Sequence, residues 1–195
     1  MTVTVDFALE RAPTAPRIII MEAAELLEPI AVNAGIAFAT DIAQDVSDVD
    51  ADRMRLLQVL SNLVGNALKF TPAGGRVDVR LEPTGDGARL VVADTGAGID
   101  PAELPFVFER FYRGAEAHES RAAGSGLGLS IVRSIVEMHN GRVSISSTPG
   151  QGTRVSVSLP RDVSVSSSPA GRAPSPRGAP PRRSSGEAAS AVSTQ

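Results

Sequence analysis

The chain has 195 residues, a formal net charge of -3, 42% hydrophobic and 21% charged residues, and only 4% aromatics. It has no Cys, which excludes disulfides, thiolate catalysis and zinc held by sulfur, and its two His, His118 and His139, are too few for a His-based metal cluster. Its mildly acidic balance and lack of Trp argue against a nucleic-acid binder, and no window holds the ~18 consecutive apolar residues of a membrane span.

Residues 2–10, TVTVDFALE, alternate like a short strand, and Pro13 and Pro16 interrupt the chain after them, so no role is assigned to residues 1–21. Residues 22–34 predict a helix with Pro29 inside it and Gly35 as its stop, followed by a strand over 36–40. Asp52 is a good N-cap for the next helix, RMRLLQVLSNLVGNALKF, which should end before Thr71 and Pro72. Two strands, 76–81 and 88–93, flank the turn sequence PTGDG and read as a hairpin. Residues 94–125 are punctuated by Gly and Pro, with a short helical piece over 104–111. A helix is expected over 127–138, closed by Asn140 and Gly141, and then a second hairpin, 142–146 with 153–159. The fold expected is a two-layer α/β sandwich: a mixed sheet covered on one face by three helices.

Composition breaks near Pro160. Residues 161–195 carry nine Ser, five Pro and five Arg, with Val163, Val165 and Val192 as the only branched apolar residues. Such a segment cannot bury enough surface to offset its ordering entropy and is expected to be a disordered tail. Its surplus of basic over acidic residues is open to two readings, a contact with an acidic partner or membrane surface, or plain solvation.

Three groups of residues point to chemistry. On the helix after Asp52, taking 100° per residue and Asn62 as zero, Asn66 falls at about 40° and Lys69 at about -20°. Lys69 is the only Lys among 19 basic residues. A solvated face would explain a polar stripe, but this chain uses Arg, Asp and Glu for that, and Asn competes with helix backbone bonding. The second group is Asp94-Thr-Gly96-Ala-Gly98-Ile at a strand end, where glycines let backbone approach a ligand; a simple turn explains it equally well in isolation. The third is Gly124-Ser-Gly126-Leu127-Gly128, which opens a helix and offers N–H groups and the positive dipole end to phosphate, or else forms a hinge. It lacks the Gly-Lys-Ser/Thr of a P-loop.

Order and spacing discriminate where single motifs do not. NLVGNALKFTPAGG at 62–75, DTGAGI at 94–99, FERFYRG at 108–114 and GSGLGLSI at 124–131 resemble the N box, first glycine box, F box and second glycine box of sensor histidine kinases. The closing GQGTRVSVSLP is similar to the end of the same catalytic domain. The resemblance covers residues 22–160 and implies the Bergerat ATP-binding fold, with ATP and Mg²⁺ as ligands.

That resemblance implies roles residue by residue. Asn66 would coordinate Mg²⁺ on the phosphates, with Asn62 and Lys69 contacting phosphate or metal. Phe70, where the family often has Tyr, would lie near base and ribose. Asp94 would accept the adenine amine, Gly96 and Gly98 would let the base edge reach backbone, and Thr153 would support Asp94 through a water. Arg113 would reach the γ-phosphate from a lid over 100–123. Gly124, Gly126 and Gly128 would wrap the phosphates and Leu127 would line the base pocket.

The family phosphorylates a His in a helical dimerisation hairpin, and neither His qualifies: His118 sits in the expected lid and His139 at a helix end, where it reads as structural. The chain is therefore expected to be a catalytic domain alone, inactive without a His-bearing dimerisation domain in cis or in trans. A response regulator is the implied downstream partner. A cytoplasmic location is expected, with any membrane anchor on a longer parent. The rivals are an anti-sigma-type serine kinase, an ATP-gated ATPase of the same superfamily, and a degenerate nucleotide-binding module. Kinases and ATPases of the rival classes generally have Glu where this chain has Asn62, and Asn cannot accept a proton from water or a hydroxyl.

Overall fold

The computed structural model describes residues 9–114 and 125–161. The strand expected over 2–10 (apart from its last two residues), residues 115–123 of the expected lid with His118, Gly124, and the tail beyond Arg161 lie outside the described residues.

A short strand, β1 (Ala12–Thr14), leads into helix α1 (Pro16–Asn33). The helix expected from residue 22 thus begins at Pro16. Pro at the first helical turn gives up an N–H that has no partner there and presets φ for the helix, so the residue read as an interruption is the start signal. Ile19, Ile20 and Ala23 of its first half are buried, so this stretch belongs to the core, and Pro29 is tolerated on the exposed side. Strand β2 (Ala37–Ile42) comes next, then β3 (Val49–Ala51), which was not expected from the sequence and which pairs antiparallel with β1, Pro13 opposite Asp50.

Helix α2 (Arg53–Phe70) starts as expected: the Asp52 carboxylate accepts the Arg55 N–H at 3.1 Å. Thr71 ends it, its hydroxyl donating to Ala67 O at 2.6 Å, with Pro72 next. Strands β4 (Arg76–Thr84) and β5 (Gly87–Asp94) form the first hairpin, Val79 opposite Val92. The helical piece expected over 104–111 is a single 3₁₀ turn, Leu104–Phe106, because Phe111 takes a left-handed φ of 65° that no helix accommodates. Helix α3 (Gly128–Met138) ends at His139, with Asn140 left-handed at φ 56° and Gly141 N–H donating to Val136 O at 2.9 Å. Strands β6 (Arg142–Thr148) and β7 (Gly152–Pro160) form the last hairpin.

The five-stranded sheet runs β2-β4-β5-β7-β6, with β2 parallel to β4 and all other neighbours antiparallel. Alternation puts Val77, Val79, Leu81, Leu90, Val92, Val155, Val157 and Leu159 on one face. Against it pack Ile19 and Ile20 of α1, Leu56, Leu60, Leu63 and Val64 of α2, and Val132, Ile135 and Val136 of α3. The other face carries Arg80, Arg89, Arg154, Ser156 and Ser158. The mixed sheet with three helices is the architecture expected.

Candidate functional site

Packing α2 by its Leu and Val side leaves Asn62 and Asn66 half-buried and Lys69 exposed on the other side. They open on a cavity of about 340 Å³ bounded by α2, the start of α3, β5, β7 and residues 98–114. Its floor is apolar, formed by Leu63, Ala67, Val92, Val107, Ile145 and Val155.

Ten of the expected site residues meet here: Asn62, Asn66, Lys69, Phe70, Asp94, Gly98, Arg113, Gly126, Gly128 and Thr153. Gly96 is buried beside them. Leu127 does not line the cavity; it sits at the N-cap of α3, its carbonyl accepting the Ile131 N–H and the Ser130 hydroxyl, and Leu129 lines the cavity instead. The sequence also did not single out Glu103, Val107, Tyr112 and Ser125, which line the wall where the segment around the 3₁₀ turn folds back onto Gly126.

That fold-back is fixed by backbone. Phe111 N–H donates to Gly126 O at 2.9 Å, joining the F motif to the second glycine motif. Gly126 has φ +70°, and a Cβ there would sit 2.7 Å from Phe111 C and 2.8 Å from Tyr112 O, so only Gly fits. Gly128 matters by proximity: its bare Cα side faces α2, with a Cβ position 3.4 Å from Asn62 Oδ1 and 3.6 Å from Asn66 Nδ2.

Asp94 sits where β5 ends. Its Oδ1 accepts the Gly96 N–H at 2.8 Å and the Thr153 N–H at 3.2 Å. Burial pushes its carboxyl above the usual carboxylate range, and the two N–H donors pull it back in part. Both bonds fall on one oxygen, so the second keeps its acceptor capacity. Thr153 supports Asp94 directly through backbone, while its hydroxyl lies 2.8 Å from Ser147 Oγ. Ser147 also accepts the Ile99 N–H and donates to Gly152 O, each at 2.8 Å, tying the loop after Asp94 to the β6–β7 turn.

At the other side, Lys69 is lowered from the usual lysine range, first by desolvation and then by the Arg113 cation. Its Nζ lies 4.7 Å from the Phe70 ring centroid. Two like charges drawn to one cavity disfavour each other, and an anion between them relieves that cost. The Tyr112 phenol is pushed up by desolvation and by the Glu103 carboxylate that it hydrogen-bonds, and its ring centroid lies 6.0 Å from that of Phe106.

A family model described as histidine kinase-, DNA gyrase B-, and HSP90-like ATPase matches residues 51–163. Histidine protein kinase DivJ of Caulobacter vibrioides is 43% identical over 154 residues, which are 79% of this chain and 26% of that protein. The chain thus spans about a quarter of the length of that curated relative. Among solved structures, full-length ShkA in complex with AMPPNP superposes with a TM-score of 0.70 at 34% identity, covering 79% of this chain and 32% of that one. The nucleotide-free catalytic domain of histidine kinase ThkA gives 0.69 at 28% identity, covering 78% of this chain and 99% of that one. The chain belongs to the histidine kinase-, DNA gyrase B- and HSP90-like ATPase family, with an ATP-binding domain of the sensor histidine kinase type.

Proposed function

We propose that the cavity binds Mg-ATP and that the domain delivers the γ-phosphate to a His on a helical dimerisation domain, from which a response regulator is served. The observation that carries this reading is that Asp94 lines the same cavity as Asn62, Asn66, Lys69 and Arg113. The loop after Asp94 touches the end of α2, Ala97 N–H donating to Phe70 O at 3.3 Å. From Phe70 back to Asn62 is about 12 Å of helix at 1.5 Å per residue. A base at Asp94 therefore has its phosphates carried along the Asn stripe.

The donor set suits the metal. Mg²⁺ takes oxygen ligands, keeps several waters and is bound largely through substrate phosphates. Asn66 would hold it by its carboxamide oxygen, with Asn62 beside it; the described residues contain no cluster of three His, Cys, Asp or Glu that would bind a cation unaided. Bound Mg²⁺ supplies charge neutralisation on the phosphate oxygens. Lys69 and Arg113 hold the terminal phosphates by charge, and the N–H groups at the start of α3 add donors. Asn62 has no basic site for a proton, so that position on the stripe cannot activate water, which favours a kinase over the ATPase and anti-sigma readings. The reading is tested by calorimetry with Mg-ATP and Mg-GTP, and by incubating the chain with labelled ATP and an added His-bearing hairpin domain. Acid-labile, base-stable label on the hairpin is the expected result; acid-stable phosphoserine on a partner, or rapid turnover by the chain alone, overturns it.

A further inference from the structure

Helices α2 and α3 lie side by side and meet at both ends. At one end Gly128 abuts Asn62 and Asn66. At the other, the fully buried His139 accepts the Asp52 backbone N–H on Nε2 at 2.9 Å. An N–H donor at Nε2 places the ring proton on Nδ1, which donates to Ile135 O at 2.7 Å, one turn back in α3. From Asp52 to Asn62 along α2, and from His139 to Gly128 along α3, are ten and eleven residues, about 15 and about 17 Å. The two helices are therefore arms of similar length joined at a far end by one imidazole.

The joint has further ties. Asp52 carboxylate accepts the Arg55 N–H, which caps α2, and the Glu10 N–H at 3.2 Å. Arg11 bonds Met138 O, at the last turn of α3, and Asp50 at 3.3 Å. Two helix ends, β3 and the entering strand thus converge on His139.

We infer that His139 is a positioning residue: by joining the start of α2 to the end of α3 it sets the gap between the second glycine motif and the Asn62–Asn66 stripe, and so the grip on the nucleotide phosphates. The inference rests on the proposal that this cavity binds Mg-ATP. A small tilt at the joint is carried along a rigid arm to the phosphate side. The adenine side is held independently by Asp94, Thr153 and Ser147, none of which touches the joint.

The test uses the full chain and two probes, Mg-ATP and adenosine, which lacks phosphates. In His139→Gln the amide can reach the Asp52 N–H as Nε2 does; in His139→Asn it stops near the Nδ1 position and loses that bond. The expected result is Mg-ATP affinity on the order of fivefold or more weaker in His139→Asn and restored to near the parent in His139→Gln, with adenosine affinity unchanged in both variants. Arg11→Ala loosens the same joint from the exposed side without touching the core. It should show the same selective loss of Mg-ATP, more weakly, and decides the matter if His139→Asn does not fold. Equal Mg-ATP binding by the Asn and Gln variants, parallel loss of both probes, or an unchanged Arg11→Ala where that variant decides, overturns the inference. Failure of the parent itself to bind Mg-ATP would instead reject the nucleotide reading.

Discussion

Asp94 Oδ1 accepts the Thr153 backbone N–H at 3.2 Å across 59 residues of chain, so the carboxylate at the end of β5 is held by the start of β7. The same carboxylate is raised by burial, which means that its charged form is held at a cost in the empty domain.

Asp94→Asn should therefore separate binding from stability. The amide keeps an oxygen for the Gly96 and Thr153 N–H groups and sheds the buried charge, so the nucleotide-free domain should melt at an equal or higher temperature. It also presents an N–H₂ where the ligand needs an acceptor, at ~1–3 kcal/mol for a mismatched buried group. Calorimetry should show ATP affinity down roughly tenfold or more. Unchanged affinity would remove Asp94 from the base pocket.

Stability and affinity should respond to pH in opposite directions. Asp94 has a folded pKa above its unfolded value, so its contribution to stability is fully present below the unfolded pKa and is lost as pH rises through the folded one. On the proposed reading affinity runs the other way, because the ionised carboxylate would accept from the base. ATP affinity should fall as pH drops through the raised Asp94 pKa, and this component should vanish in Asp94→Asn. A titration that is identical in parent and variant would show that the carboxylate does not face the base.

Asn66→Asp changes one atom of the side chain but places a negative charge beside the phosphates. Transfer to an added hairpin domain should drop steeply, while adenosine binding, which does not involve the stripe, should stay as in the parent. Equal transfer by Asn66→Asp would mean that the stripe faces solvent rather than ligand.

The chain alone should neither label itself nor turn ATP over at a useful rate, since Asn62 cannot polarise water. Asn62→Glu supplies a base and should raise phosphate release, provided that calorimetry shows that the nucleotide still binds. No rise in a variant that binds would reject the base argument.

Gly126→Ala would force a left-handed φ on a Cβ residue and drive that Cβ into the Phe111 and Tyr112 backbone. The strain alone is ~1–2 kcal/mol. Melting should fall by several degrees and ATP affinity should fall with it, because Arg113 and the glycine motif are held together there. A neutral Gly126→Ala would show that the fold-back is not fixed at this point.

Much of the candidate cavity's lining was legible because its residues break local rules. Asn62 and Asn66 oppose helix propensity, Lys69 stands alone among arginines, and the glycine motifs sit at element ends. The fold was legible in its alternating strands and in Asp52 as a cap. What was not legible is made by distant pairing. Ser147 is an ordinary strand residue until Ile99, Gly152 and Thr153 gather round its hydroxyl. Strand β3 is too short to show a period, and is held by β1 and an isolated bridge from Val49 to Arg161. Pro16 misled because Pro ends some elements and begins others. Leu127 and Leu129 differ only by where α3 starts, and a helix boundary leaves a weaker mark on a sequence than the helix itself.

The parallel pairing of β2 with β4 carries a dynamic consequence. Parallel neighbours cannot be joined by a tight turn, and the connection between them contains α2. The helix bearing Asn62 and Asn66 is thus threaded between two paired strands, and it cannot unravel without pulling on both. Its amides should exchange with solvent only in global opening, whereas the backbone of residues 98–114, outside the sheet, should exchange through local opening. Nucleotide should accordingly slow exchange in that loop far more than in α2: the wall proposed to carry the Asn stripe should be rigid before a ligand arrives, and the opposite wall should be the one that responds.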